Sequence, residues 1–331
     1  MPTKPVLADA ATIQEAVVLL QAGRLVAFPT ETVYGLGADA SNPQAVRRIF
    51  IAKGRPTEHP LIVHIANISQ LSHWATSIPE QALKLATQFW PGPLAIILNK
   101  QPNVPLEVTG GQQTIALRIP NHPVALQLLQ AFGGGVAAPS ANRFCRISPT
   151  QAIHVAEELG NAVDMILDGG ECAVGVESTI VDLSSDRPRL LRPGHISRLQ
   201  IEAVLNTELL LPATLEAPES TVRAPGMLDI HYAPLTPAIR CHSEQLPAVI
   251  KKLNTTHNKI GLLAYHTTVP ENQVTQVIHL PNQADTYAQG LYTALRTLDQ
   301  LQLELIVVEQ PPDSEVWRAV NDRLNKATTP Y

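Results

Sequence analysis

Apolar residues along this chain gather into short runs, separated by segments in which they recur at helical spacing. Arg24–Phe28 is one such run, ends at Pro29 and reads as a strand. Pro43–Lys53 reads as a helix. Asn42 stands where an N-cap belongs, proline takes the first helical position, Gly54 suits the position after the last turn, and Pro56 blocks continuation. Leu61–Ile65, Leu94–Leu98, Thr114–Ile119, Val136–Ala138, Met165–Leu167, Val176–Leu183 and Leu190–Arg192 read as further strands. Pro79–Phe89 and Pro123–Ala131 read as helices. Strands mixed with helices imply an α/β layer fold. Several strands follow one another without a helix, so the sheet is expected to be mixed.

The pattern breaks down from about Leu209 to Thr236, a stretch rich in Pro, Ala, Thr and Glu that reads as a linker. Its end, Ala224-Pro225-Gly226-Met227 and then His231-Tyr232-Ala233-Pro234, is too specific to be filler. A smaller α/β pattern follows, with strands at Ala238–Cys241, Ile260–Ala264 and Leu305–Val308 and helices at Ala284–Leu298 and Val316–Lys326. The expected organisation is a large domain over residues 1–208, a linker over 209–236 and a small α/β domain over 237–331.

Composition narrows the function. A chain of 331 residues with 45% hydrophobic positions has material for two cores. A formal charge of −5, with 24 Lys plus Arg, argues against holding nucleic acid tightly by its phosphates. The three cysteines are scattered and form no CxxC pair, so neither a disulfide framework nor a zinc knuckle is indicated. With no signal-like start, this points to a reducing cytoplasm, and no apolar run reaches the length of a membrane span. The eleven histidines include no HExxH motif and no close cluster, so no protein-ligated metal site is expected.

Polar chemistry is concentrated between Phe28 and His64 and recurs downstream near the ends of apolar runs. Lys53 and Arg55 admit two readings: solvated cations at a helix C-terminus, or a phosphate clamp of a point charge beside a planar fork. Arg118 and Arg192 favour the clamp, because each ends an apolar strand, where ligand crevices of open α/β sheets lie. Ser140 and Asn142 follow Val136–Ala138 and serve either a turn or a phosphate or sugar hydroxyl. Glu177-Ser178-Thr179 interrupts an apolar run, as a bulge or a site would. Ser178 lacks a GxSxG elbow and is not read as a covalent nucleophile. Thr30, Thr32 and Tyr34 are candidates for coordinating a small polar substrate, while His64 ends an apolar strand and reads first as a core histidine. Neither GxGxxG nor a GK[ST] loop is present.

Taken in order, these motifs closely resemble the YrdC-like family in its long two-domain form. The matching segments are PTETVYGLG at 29–37, KGRP at 53–56, HPLIVH at 59–64, WPGPL at 90–94, TIALRIP at 114–120, APSAN at 138–142, GVESTIVDL at 175–183 and LLRPG at 190–194. APGM at 224–227 and HYAP at 231–234 mark the long form, and NDRL at 321–324 resembles the end of its small, Rossmann-like C-terminal domain.

The resemblance implies an α/β fold with a twisted open mixed sheet and flanking helices, and an ATP-dependent reaction. L-threonine and bicarbonate or CO2 give an N-carboxylated threonine, whose carbamate attacks the α-phosphate of ATP, releases pyrophosphate and forms threonylcarbamoyl-adenylate. A separate transferase complex then carries the group to adenosine 37 of tRNA, so tRNA is an indirect partner. On this resemblance Lys53 and Arg55 carry catalysis. Lys53, Arg55, His59, Thr114, Ser140, Asn142, Arg192, His231 and Tyr232 match ATP-side positions. Thr32, His64, Arg118, Ala138 and Ser178 match threonine-side positions. Mg2+ arrives with the nucleotide, held mainly by phosphates and water. The linker is expected to fold over the site and exclude water. Two positions depart from the pattern. His59 is often asparagine in the family, and Met227-Leu228-Asp229-Ile230 stands where basic residues are common. An RNA-binding module, and a carbamoyl-transfer domain like that of hydrogenase maturation proteins, are the competing readings. The second lacks here its acylphosphatase and zinc-finger segments.

Overall fold

The computed structural model describes residues 3–211, 222–228, 230–268 and 270–331. They divide into two compact units. Met1–Phe144, Pro149–Ala173 and Glu177–Met227 form the first, and Cys145–Ser148, Val174–Val176 and Leu228–Tyr331 the second. Residues 212–221 and Asp229 of the expected linker lie outside the described residues.

The first unit is built on one ten-stranded sheet. Its strands are β1 (Pro5–Leu7), β2 (Val26–Phe28), β3 (Gly35–Asp39), β4 (Ile62–His64), β5 (Leu94–Asn99), β6 (Thr114–Arg118), β7 (Val136–Ala137), β8 (Met165–Asp168), β9 (Thr179–Asp182) and β10 (Arg189–Arg192). They lie in the order β1-β8-β2-β3-β7-β4-β6-β5-β9-β10. The pairs β1/β8, β2/β8, β4/β6 and β5/β9 are parallel and the other neighbours antiparallel, so the sheet is mixed as expected.

Strand alternation sends successive side chains to opposite faces. On one face Val63, Leu117, Ile96 and Val181 pack in a core with residues of the helices Pro43–Lys53, Glu80–Phe89, Ala152–Leu159 and Arg198–Leu205. On the other, the helices Ala10–Gln21 and Pro123–Phe132 pack on Val26, Phe28, Val136 and Leu167. The far half of that second face carries Ile62, Ala116, Ile97, Ile180 and Leu191. It is covered by Ala224, with Val222 packed alongside. His64 and Arg118 lie two residues beyond Ile62 and Ala116, on this same face.

The helix Pro43–Lys53 is closed as its sequence demands. The Asn42 side chain accepts from the N–H of Gln44 and Ala45, and Gly54 takes the left-handed conformation at φ 62°. Two further elements form. Ala10–Gln21 is capped by Asp9 and buries Ile13, Ala16, Val17 and Leu20. Gly35–Asp39 is a strand despite two glycines, because it lies against an aromatic ring. A Cβ on Gly37 would sit 2.8 Å from Phe28 and 2.9 Å from Val136. The run Val176–Leu183 pairs only from Thr179, which leaves Glu177 and Ser178 outside the ladder.

The second unit is a parallel five-stranded sheet of β11 (Ala238–His242), β12 (Ile260–Ala264), β13 (Gln276–His279), β14 (Leu305–Gln310) and β15 (Thr329–Pro330), ordered β13-β12-β14-β11-β15. This is the expected Rossmann-like pattern, with β13 and the helix Leu246–Leu253 added. Buried Glu309, on β14, accepts from the N–H groups of Tyr265, His266 and Thr267 and so ties off the C-terminal end of β12. Among the described residues no helix is long and apolar enough to cross a membrane.

Candidate active site

Lys53 is buried because of where it falls on its helix. Val46, Ile49 and Phe50 form the apolar stripe, and Lys53 is the next position along it. Its ammonium donates to the main-chain carbonyls of Ser140 and Asn142, in the loop after β7. Arg55, just past the helix end, donates to the Pro60 carbonyl at 3.0 Å, and its guanidinium lies 5.9 Å from the centre of the Phe144 ring. Lys53 is 2% and Arg55 8% exposed, which excludes the reading of two solvated cations. These main-chain carbonyls hold both cationic groups in fixed places. His59 is half-buried, its ring 5.4 Å from Phe144, and burial followed by the charge of Arg55 lowers its pKa.

A second group surrounds Arg118. Its Nη2 donates to Thr32 Oγ1 at 3.0 Å, and its Nε points to the Gly92 carbonyl at 3.3 Å. The Thr30 hydroxyl donates to the Val33 carbonyl and accepts from the N–H of Thr32 and Val33, which shapes the loop that presents Thr32. Tyr34 donates to the Gly170 carbonyl at 2.7 Å. Thr30 and Tyr34 therefore build the loop, and Thr32 is the hydroxyl turned toward Arg118. His64 pairs with Arg118 across β4 and β6 and meets Phe28 edge-on at 6.1 Å. Sequence reasoning gave no role to Glu31. The structure buries it to 6% exposure with Oε1 at 2.7 Å from Arg118 Nη2.

A third group joins Ser178 to Arg192. Arg192 donates from Nε to the Ser178 carbonyl at 2.9 Å, from Nη2 to Ser178 Oγ at 3.2 Å, and from Nη1 to the Pro225 carbonyl at 3.1 Å. The loop after Trp90 bridges the last two groups, because the Gly92 carbonyl accepts from Arg118 and the Pro93 carbonyl from the Thr179 N–H. Ser140 bridges to Gly35, and the Ala138 N–H donates to the Ile62 carbonyl, which brings the first group beside the second. Thr114 opens β6, four residues from Arg118 and so roughly 13 Å along the strand. It shares the face of Arg118 but not its immediate surroundings. His231 and Tyr232 belong to the second unit. There the His231 N–H donates to the Lys326 carbonyl at 3.0 Å, and the Arg323 guanidinium lies 5.4 Å from the Tyr232 ring centre.

Two family profiles match consecutive parts of the chain. One described as "Telomere recombination" spans residues 18–194, and one described as "Threonylcarbamoyl-AMP synthase, C-terminal domain" spans 196–329. The threonylcarbamoyl-AMP synthase of Pyrococcus abyssi is 41% identical over 96% of this chain and 94% of its own length. The chain belongs to the threonylcarbamoyl-AMP synthase family. The Bacillus subtilis synthase is 42% identical over 95% of this chain and 92% of its own. The crystal structure of P. abyssi Sua5 complexed with L-threonine superposes with a TM-score of 0.91, at 39% identity, over 98% of this chain and 97% of that one. The mixed α/β fold of the first unit and the parallel sheet of the second are those of this family.

Two consequences of the geometry can be measured. Gly194, in the loop after β10, is pressed against the segment that holds Ser178. A Cβ there would lie 2.4 Å from the Thr179 nitrogen. That neighbour is backbone, so Gly194→Ala is expected to push Ser178 and Arg192 apart. It should lose about 1–3 kcal/mol of stability in urea unfolding, together with most turnover.

Burial, with Arg118 beside it, depresses His64 from 6.5 to about 3. The folded state thus holds a neutral imidazole that the unfolded chain protonates more readily. Its contribution is intact above about pH 6.5 and is lost as pH falls toward 3, at up to roughly 1.4 kcal/mol per pH unit. Urea midpoints between pH 7 and 4 should fall more steeply for the parent chain than for His64→Gln, and equal slopes would refute the assignment.

Proposed function

We propose that this chain condenses L-threonine, bicarbonate or CO2 and ATP into L-threonylcarbamoyl-adenylate, releasing pyrophosphate, for modification of adenosine 37 in tRNA. The observation that carries this reading is kinship to threonylcarbamoyl-AMP synthases along nearly the whole chain. A substrate carbamate is the nucleophile, so the enzyme needs none of its own. Catalysis reduces to positioning and charge stabilisation, which suits a site of buried cations and hydroxyls.

In this reading Lys53, Arg55 and Arg192 face the phosphates. Ser140, Asn142, Thr114 and His59 line the nucleotide side. Arg118 takes the threonine carboxylate as a fork, with Thr32, His64, Ala138 and Ser178 around the amino acid. His64 is neutral at pH 7, so it acts as a hydrogen-bonding and packing group rather than a cation. Fixed cations oppose the charge that develops as the carbamate oxygen attacks the α-phosphorus and pyrophosphate departs. Mg2+ would be held mainly by the nucleotide phosphates and would offset their charge there, in keeping with a nucleotide side of cations, hydroxyls and amides. The linker, with His231 and Tyr232, serves as a cover that keeps water from the mixed anhydride. The packing of Val222 and Ala224 on the sheet face that bears Arg118 supports that role. The product passes to a threonylcarbamoyl transferase complex in the cytoplasm.

The test is pyrophosphate release by the purified chain with ATP and Mg2+. Release that needs both L-threonine and bicarbonate is expected. Release without threonine, or none, would overturn the reading.

A further inference from the structure

Glu31 is a buried carboxylate in the threonine-side group, and its surroundings do not account for it. Its Oε1 lies 2.7 Å from Arg118 Nη2, yet the contact lacks hydrogen-bond alignment. One N–H of Nη2 donates to Thr32 Oγ1, and the other is not aimed at Glu31. Neither Glu31 oxygen accepts a hydrogen bond from any described residue, although both are shielded from solvent. A buried carboxylate costs free energy unless its charge is paired and its lone pairs are filled. Here the charge is met and the lone pairs are not. Such an acceptor, 94% buried beside a substrate-binding guanidinium, is prepared for a donor that comes with the ligand.

We propose that Glu31 recognises the amino end of the substrate, its carboxylate accepting from the α-ammonium of L-threonine while Arg118 takes the α-carboxylate. The inference rests on the function proposed above and extends it. Charge counting supports it. Arg118 and Glu31 together are neutral, and an amino acid zwitterion adds one charge of each sign, so the buried group stays neutral when occupied. A ligand carrying only the carboxylate would set two anions around one guanidinium in a site with little water. Geometry supports it as well. Two adjacent residues of one loop, Glu31 and Thr32, converge on Arg118 at the end of one strand, so one small ligand can touch all three. Carboxylation of the ammonium by bicarbonate releases water and one proton to solvent and leaves the nitrogen one hydrogen, which Glu31 continues to hold. The carbamate oxygen is thereby aimed away from Glu31. Glu31 thus distinguishes amino acids from hydroxy acids of the same shape.

The experiment compares binding of L-threonine and of (R)-3-hydroxybutyrate, which is threonine without its amino group. Isothermal calorimetry is run on the full chain and on Glu31→Gln. The full chain should prefer threonine by about tenfold or more, as a site built around a polar group rejects ligands that lack it. Glu31→Gln should lose about tenfold or more of its threonine affinity, with the affinity for the hydroxy acid unchanged within about twofold or raised. Equal losses for both ligands would make Glu31 a mere prop for Arg118 and overturn the proposal, as would an unchanged preference. If Glu31→Gln does not fold, the full chain still decides: equal affinity for the two ligands overturns the proposal. Failure of the full chain to bind threonine at all would instead count against the synthase reading.

Discussion

Replacing Arg118 by alanine is expected to abolish threonine-dependent turnover and to cost about 3–5 kcal/mol of stability. The two losses have separate origins. Turnover fails because, on the proposed function, the fork for the substrate carboxylate is gone. Stability falls because Glu31, buried at 6% exposure and 2.7 Å from Arg118, is left without its cation. A double variant separates them. Arg118→Ala with Glu31→Gln removes both charges, so it should recover most of the stability and none of the activity. Chemical denaturation measures the first effect and pyrophosphate release the second. If the double variant is as unstable as Arg118→Ala alone, the ion pair is not the source of the loss.

Lys53→Met should reduce adenylate formation by about a hundred- to a thousandfold, the range seen when one fixed donor to a developing charge is removed. Methionine keeps the length and apolar stem of the side chain, so the helix Pro43–Lys53 should survive. The substitution also strands the carbonyls of Ser140 and Asn142, which the ammonium holds. A stability loss of about 1–3 kcal/mol should accompany the loss of activity. Near-normal turnover with a destabilised fold would assign Lys53 to the scaffold alone.

Both residues show what the sequence made legible and where it stopped. The burial of Lys53 follows from helical periodicity, since it continues the stripe Val46, Ile49, Phe50. The caps Asn42 and Gly54 fix that helix in register, and the strand ends of Arg118 and Arg192 follow from apolar runs. The signals for the helix Ala10–Gln21 were present too, in Asp9 and the spacing of Ile13, Ala16, Val17 and Leu20. The strand Gly35–Asp39 was not legible, because two glycines oppose it and only contact with Phe28 and Val136 explains them. Glu31 was hidden for a similar reason. An acidic residue in a polar loop looks solvated until Arg118, 87 positions later, is brought against it by the fold. Tertiary contact decides such positions, and local pattern does not carry it. The pairing of Tyr232 with Arg323 is of the same kind, since the two motifs lie 91 residues apart and meet only through the packing of the second unit.

The central claim is that this chain links threonine, a one-carbon unit and AMP in a single product. The most direct measurement is mass spectrometry of the product formed from ATP, L-threonine and 13C-labelled bicarbonate. Threonylcarbamoyl-adenylate that carries one heavy carbon in the carbamoyl group is expected, formed in step with pyrophosphate. An adenylate of threonine that lacks this carbon, or pyrophosphate release with no labelled product, would contradict it.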